Sequence, residues 1–423
     1  MLEILTKEEF DNFAKVHPLS TFFQSSSWGE LKECTGWKTH LIGFKENDKI
    51  LGASLLLAKK IPLFNKYIFY APRGFLIDYE NESLLEKFVD ALKKYLKKNK
   101  GIFLKINPYV MYQERDTEGN VVEGGINNNH IIEHLKKMGF EHNGFTIDYG
   151  IDMEPRWLSV LDLTNETEET ILKNMRQTTR WRINNSYKHG LKLVEIGKDR
   201  LDEFKKLMEH TSERRGFVDR SETYYENMYD AFSKNNNIKL MLVELNTKEY
   251  LENLNHQKQE NLLKQAETKK NLTGTKSKKL LKELNSQLDA ITKKIEEIGV
   301  LYETKGEVIV IAGGLFMTFG RQVISLFGAS YREYMKYGGQ YFLNFKMIKY
   351  AINNGYDKFN FYGITGHFTE DSPMYGLFSF KKGFNAKVVE LIGEFNLIIS
   401  KKYYKIYQIM LKIYKKLKKR GSK

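Results

Sequence analysis

KKLLKELNSQLDAITKKIEEIG, residues 278–299, carries Leu281, Leu284, Leu288, Ile291, Ile295 and Ile298 at alternating spacings of three and four. That is a single apolar seam on an otherwise charged helix, the pattern of a coiled coil and not of a helix buried on all sides. From Lys248 to the turn at Asn271-Leu272-Thr273-Gly274 a second polar helix is expected, with Leu251, Leu254 and Leu262 supplying a thinner half of the seam. Strand-like segments flank the pair, Ile238 to Leu245 before it and Glu307 to Phe319 after it. The reading is an antiparallel helical arm, residues 248–299, that projects from the middle of a folded module.

Outward from the arm, the chain repeats one grammar. On the N-terminal side, strands are expected at Trp37–Phe44, Ile50–Leu57 and Tyr67–Tyr70, then an amphipathic helix from Ser83 to Lys98 and a strand at Ile102–Ile106. Ser83 followed by Glu86 matches a capping box. On the C-terminal side, Val308–Leu315 and Val323–Gly328 form a second hairpin candidate. A helix at Gln340–Asn353 follows it and ends, like the one at His130–Met138, in a glycine. We therefore expect an internally duplicated α/β (α+β) protein with mixed sheets. The segments are 1–154 for the first domain, 155–247 with 300–400 for the second, 248–299 for the arm and 401–423 for a basic C-terminal segment.

Composition narrows the function classes. The 423 residues include 41% hydrophobic and 13% aromatic side chains, enough for two packed cores. A net charge of +14 attracts polyanions, such as nucleic acid, phosphorylated substrates or an anionic membrane face. The plain alternative is a solvated Lys-rich surface. A single cysteine, Cys34, excludes a disulfide framework and fits a reducing compartment. No signal-peptide pattern and no run of about 18 apolar residues is present, so the expectation is a soluble cytoplasmic protein. The nine histidines show no metal-ligand spacing, and neither a metal nor a redox cofactor is expected.

The order of elements resembles the N-acyltransferase (GNAT-type) fold. There, a glycine-rich loop before the long helix cradles the pyrophosphate of coenzyme A. The corresponding Tyr337-Gly338-Gly339-Gln340 lacks a full set of glycines, so coenzyme A is not the expected acyl donor. A polyanionic donor such as aminoacyl-tRNA fits a basic chain better.

Five segments then carry a more specific resemblance: QSSSWGELK (24–32), RGFLIDY (73–79), SERRGF (212–217), LFGAS (326–330) and YGLFSFKK (375–382). In this order, with the arm between two strands of the second module, the chain resembles the FemABX family of peptidoglycan interpeptide-bridge aminoacyltransferases. Its arm-bearing, glycyltransferase-type members are the most similar. The resemblance implies transfer of glycine, alanine or serine from aminoacyl-tRNA to the stem-peptide amine of a lipid-linked precursor, with no cofactor. Two other readings stay open: the same donor with a protein or lipid acceptor, and a non-enzymatic module that uses its arm to bind RNA or assemble a complex.

The resemblance also implies site residues. Lys32, Arg220 and Tyr224 align with contacts to the precursor diphosphate. Their alternatives are a solvated lysine, a helix-start salt bridge and core packing. Lys381, after Phe380, aligns with the lysine that steadies the transition state; its alternative is a helix-surface lysine beside Lys382. Asn107 stands where relatives commonly carry Asp, which removes a carboxylate base from that position and suggests a role in orienting the acceptor. Tyr362-Gly363 stands where relatives often have Gly-Gly.

Two basic surfaces complete the reading. Arg176, Arg180 and Arg182 cluster with Lys188, His189, Trp181 and Tyr187, a candidate tRNA-binding helix whose alternative has Trp181 packed inward. Residues 401–423 alternate Tyr, Ile, Met and Leu with Lys, which suits the inner face of an anionic membrane or packing on the second domain. The arm is expected to bind tRNA, a protein partner or a second copy.

Overall fold

The computed structural model describes residues 1–421 apart from 63, 149, 272 and 273, with side chains described through residue 413. Among the described residues fifteen strands form two mixed sheets. In chain order they are β1 (Leu2–Ile4), β2 (Lys38–Glu46), β3 (Lys49–Lys60), β4 (Tyr67–Ala71), β5 (Gly101–Ile106), β6 (Met111–Glu114), β7 (Phe140–His142) and β8 (Trp157–Asp162). Then follow β9 (Leu191–Glu195), β10 (Ile238–Asn246), β11 (Val308–Phe319), β12 (Gln322–Ser330), β13 (Lys358–Ile364), β14 (Lys387–Leu391) and β15 (Phe395–Ile398). The helices begin with α1 (Lys7–Val16), α2 (Ser26–Glu33), α3 (Glu82–Lys98), α4 (Asn129–Lys137), α5 (Glu168–Asn174), α6 (Gln177–Ser186) and α7 (Leu201–Arg215). They continue with α8 (Glu222–Ser233), α9 (Thr247–Lys270), α10 (Thr275–Lys305), α11 (Gly339–Asn353), α12 (Tyr375–Gly383) and α13 (Lys401–Gly421).

Both sheets follow one plan. The first runs β1-β2-β3-β4-β5-β15-β7 and the second β9-β10-β11-β12-β13-β8-β14-β6. Each contains one parallel pair, β4 with β5 and β12 with β13, among antiparallel neighbours. Parallel neighbours need a crossover, and α3 and α11 supply it. The expected mixed α/β architecture is thus present. The sheets, however, do not divide the chain at residue 154. β15, expected in the second module, lies between β5 and β7 of the first sheet. β6, from the first segment, pairs with β14 at the edge of the second. The physical reason is local: Phe395 and Leu397 alternate into the first core, which also holds Phe140 and Ile106.

One smaller expectation changes. The α3 cap is Asn81, whose side chain accepts the Leu84 N–H at 3.1 Å, and not the Ser83–Glu86 box. Gly339 serves packing: a Cβ there would come within 2.9 Å of Ala312 Cβ, so the glycine lets α11 close on β11.

One apolar cluster joins the two sheets, with Phe22, Trp28 and Leu55 from the N-terminal side meeting Phe204, Tyr225, Phe232 and Leu315. Each such side chain contributes about 1.5–3 kcal/mol on full burial, so this contact holds the relative placement of α2 and α8 on which the site depends.

The arm is longer than expected, α9 and α10 together. Its root is stapled where Thr247 Oγ1 donates to the carbonyls of Gly306 and Glu307 at 2.9 and 3.0 Å. Tyr250, Leu254 and Ile298 sink into the second core, and Leu284 is buried farther out. Leu262 is not in the seam but 44% exposed. Seven residues on from Leu254 comes Asn261, which takes the seam position with Gln265. Gln265 Nε2 donates to Asn261 Oδ1 at 2.9 Å, and both side chains are buried, a polar layer in the coiled coil.

The described residues of the C-terminal helix pack on the first sheet, where the second was one expectation. Tyr404 and Tyr407 lie 5.1 and 5.4 Å from the Phe103 ring of β5. Its other face exposes Lys401, Lys402, Lys405 and Lys412 with Ile409 and Ile413. Residues 422–423 of that expected segment lie outside the described ones, as do Leu272 and Thr273 of the arm turn. Among the described residues no helix is long and apolar enough to cross a membrane.

Candidate active site

The segment before α2 is built to hold that helix still. Gln24 Nε2 donates to Pro72 O at 2.7 Å and its Oε1 accepts the Leu55 N–H at 2.8 Å. Ser25 Oγ caps α2 by accepting the Trp28 N–H at 3.1 Å, and Asp11 accepts both the N–H and hydroxyl of Ser26. Trp28 packs edge-on against Phe22 and Phe23. One turn later, Lys32 Nζ rests 4.2 Å from the Trp28 ring centroid. Burial lowers the Lys32 pKa, with Arg220 and Lys59 adding to the effect and Glu154 opposing it.

Facing Lys32, α8 starts on Ser221, whose Oγ accepts the Tyr224 N–H at 3.2 Å. The exposed Arg220 guanidinium lies 5.4 Å over the Tyr224 ring, and burial pushes the Tyr224 phenol up to about 12. Lys32 lies on α2 and Arg220 just before α8, and these two helices, from the two halves, pack together. The Arg220 charge adds to the cost of charging Lys32. A dianion placed between them relieves that repulsion.

Lys381 is no surface lysine. It is 94% buried (6% exposed), and burial pushes its pKa down to about 7. Its ammonium donates to Gly363 O at 2.7 Å and Tyr362 O at 3.3 Å. Its neighbour Lys382 turns the other way, to Glu118. Phe380 packs against Tyr341 and Phe384 at 5.0 and 5.3 Å, at the margin of the second core.

Between these cations lies a residue the sequence reading missed. Glu154, partly buried, accepts a hydrogen bond from the Tyr362 hydroxyl. Burial raises its pKa, while Arg73, the Tyr362 hydrogen bond, Lys32 and Arg220 pull it back. Arg73 is itself buried, its Nη2 donating to Pro155 O at 2.7 Å and its guanidinium 6.0 Å from both Phe23 and Tyr109. Asn107 holds the loop carrying Arg73: its Oδ1 accepts the Arg73 N–H at 2.8 Å and the Tyr70 hydroxyl at 3.2 Å. Its Nδ2 is buried without a hydrogen-bond partner. The site therefore runs from Lys32 and Arg220 through Glu154 and Tyr362 to Lys381.

The three arginines of α6 and its cap separate. Arg180 donates to the carbonyls of Lys173 and Met175 at 2.5 and 2.7 Å, closing the end of α5. Arg176 sits beside α12, 3.4 Å from Ser379 Oγ and 3.9 Å from Glu118. Arg182 stacks 5.4 Å over Tyr341, the ring that also touches Phe380. Trp181 is 62% exposed, so the inward-packing alternative does not hold. His189 leaves the basic face, buried with Nδ1 at 3.0 Å from Tyr337 O. Close approach of α6 to α12 depends on Gly383, where a Cβ would meet Thr179 Oγ1 at 2.3 Å. This brings an exposed basic face with a tryptophan next to the helix of Lys381.

The FemAB family profile matches residues 5–412. Aminoacyltransferase FemA of Staphylococcus aureus (strain NCTC 8325 / PS 47) is 34% identical over 416 residues, covering 97% of this chain and 98% of that protein. The protein of the same name from strain bovine RF122 / ET3-1 is similar to the same extent. Among solved structures, a crystal structure of FemX is similar with a TM-score of 0.81 at 27% identity, covering 96% of this chain and 99% of that one.

Proposed function

Because the chain belongs to the FemAB family, we propose that it is an aminoacyltransferase of peptidoglycan bridge synthesis. In this reading it carries glycine, alanine or serine from aminoacyl-tRNA to the stem-peptide amine of a lipid-linked precursor. The observation that carries it is the coupling of Lys32 and Arg220 to Glu154, which is joined through Tyr362 to the buried Lys381. The diphosphate of the precursor sits between Lys32 and Arg220, with the Tyr224 hydroxyl as a further donor. The stem peptide follows the cleft past Glu154 and the unpartnered Asn107 amide toward Lys381.

The reaction makes modest demands. A primary amine attacks the ester carbonyl of the charged tRNA, and a tetrahedral oxyanion forms before the ribose hydroxyl leaves. Protonated Lys381, already desolvated, meets that oxyanion at little reorganisation cost. Phe380, next to it, closes the apolar side of the donor pocket. We read the chain as two acyltransferase-like modules, with the cleft between them serving the acceptor and the second module the donor.

For the donor, the face of Trp181, Arg182 and Arg176 takes the tRNA, with the tryptophan stacking on a base. Trp181→Ala with Arg182→Ala is expected to raise the KM for charged tRNA about 5- to 150-fold, the range of about 1–3 kcal/mol for one lost stacking contact, and to leave precursor KM unchanged. For the acceptor, the lysines and exposed isoleucines of α13 rest on the anionic surface that holds the lipid. The protein is expected to sediment with vesicles containing anionic lipid and far less with neutral ones; equal binding to both would remove this electrostatic reading.

The deciding experiment incubates the protein with purified lipid-linked precursor and a panel of charged tRNAs, read by mass spectrometry. A mass increment of one residue with one tRNA supports the proposal. No increment with any tRNA overturns it.

A further inference from the structure

Tyr362 holds a left-handed backbone conformation, φ 65°. A tyrosine occupies that region only when its surroundings impose it. Here its N–H donates to Asn360 Oδ1 at 2.8 Å, its ring stacks on Phe23 at 6.2 Å, and its hydroxyl donates to Glu154. The result is that two successive carbonyls, of Tyr362 and Gly363, turn toward the Lys381 ammonium. A buried ammonium has few other ways to be satisfied, so those carbonyls decide where its protons point.

We propose that Glu154 is a positioning residue for Lys381 and acts through Tyr362. The carboxylate touches the phenol hydroxyl, the phenol carries the left-handed turn, and the turn presents the carbonyls that hold the ammonium. Burial raises the Glu154 pKa, and Arg73, the Tyr362 hydrogen bond, Lys32 and Arg220 offset part of that rise. The inference rests on the reading of Lys381 as the cation that meets the oxyanion.

Four variants of the full-length protein test it, with steady-state kinetics against charged tRNA and lipid-linked precursor across pH. Tyr362→Phe keeps the stacked ring and removes only the hydroxyl. It and Glu154→Ala are each expected to lower kcat about tenfold or more while precursor KM stays within about twofold, the signature of a loss felt in the transition state. Both are also expected to move the alkaline limb of kcat/KM to lower pH, because the displaced carbonyls no longer hold the proton on Lys381. Glu154→Gln keeps an acceptor oxygen for the phenol and is expected to recover most of the loss. Where Tyr362→Phe melts below the assay temperature, the Glu154→Ala and Glu154→Gln pair carries the comparison.

The proposal is overturned if kcat and the limb are unchanged in Tyr362→Phe and Glu154→Ala while Lys381→Met is inactive. It is equally overturned if Glu154→Gln is as impaired as Glu154→Ala, which would make the charge itself essential. An active Lys381→Met would instead remove the reading of Lys381 on which the inference stands.

Discussion

Replacing Lys381 with methionine is expected to lower kcat by about 10²–10³-fold, the cost of losing one preorganised donor to a developing oxyanion. Precursor affinity should survive, because the proposed diphosphate contacts are Lys32 and Arg220 and not Lys381; calorimetric titration of the precursor into the variant checks this. The pH profile adds a second test. Burial pushes the Lys381 pKa down to about 7, so the cationic form is present below that value and lost above it. In the parent enzyme kcat/KM should therefore fall on the alkaline side with a midpoint near 7, and in the methionine variant that limb should be absent. Linkage gives the matching stability effect. The folded pKa lies below the unfolded value of 10.5, so the unfolded chain binds more protons between about 7 and 10.5, and stability rises with pH across that window. Lys381→Met should flatten the rise, measured as urea midpoints at several pH values. A profile identical to the parent's would mean that Lys381 does not titrate there.

The second large effect belongs to the paired cations. Lys32→Ala or Arg220→Ala should each raise precursor KM about 10- to 150-fold, from the roughly 1.5–3 kcal/mol of a hydrogen bond to a charged group, with kcat changed far less. Combined, the two changes should act less than additively, because both groups address one dianion. Truncated precursor lacking the diphosphate should bind the parent and the double variant alike. If the variants discriminate against the truncated compound as strongly as the parent does, the diphosphate sits elsewhere.

How much of this was legible in the sequence depends on the kind of signal. The arm was, because coiled-coil spacing is a local pattern, yet its polar layer was not. Leucine content pointed to Leu262, whereas the heptad phase set by Leu254 selects Asn261 and Gln265. Lys32, Arg220 and Lys381 were legible only through family resemblance, since a lysine in a Lys-rich chain carries no mark of burial. Glu154 had no signal at all. It is one acid in an irregular stretch before a proline, and its meaning comes from Tyr362, 208 positions away. Arg73 lay inside a quoted motif but looked no different from the arginines that face solvent. The exchanged strands escaped because a four-residue apolar segment such as Phe395–Ile398 does not say which sheet it will complete.

That exchange governs how the protein is made. β15 is an interior strand of the first sheet, between β5 and β7, yet it emerges from the ribosome nearly 300 residues after β5. Until then the nascent N-terminal half carries an open slot with two unpaired strand edges, a state prone to pairing with other chains. Synthesis therefore ends before the first half can mature. A product truncated after β14 lacks a central strand rather than a tail, and a chain cut near residue 154 yields two pieces that each lack a partner strand. The enzyme should accordingly unfold and refold as one unit, and fragments of it should accumulate in inclusion bodies.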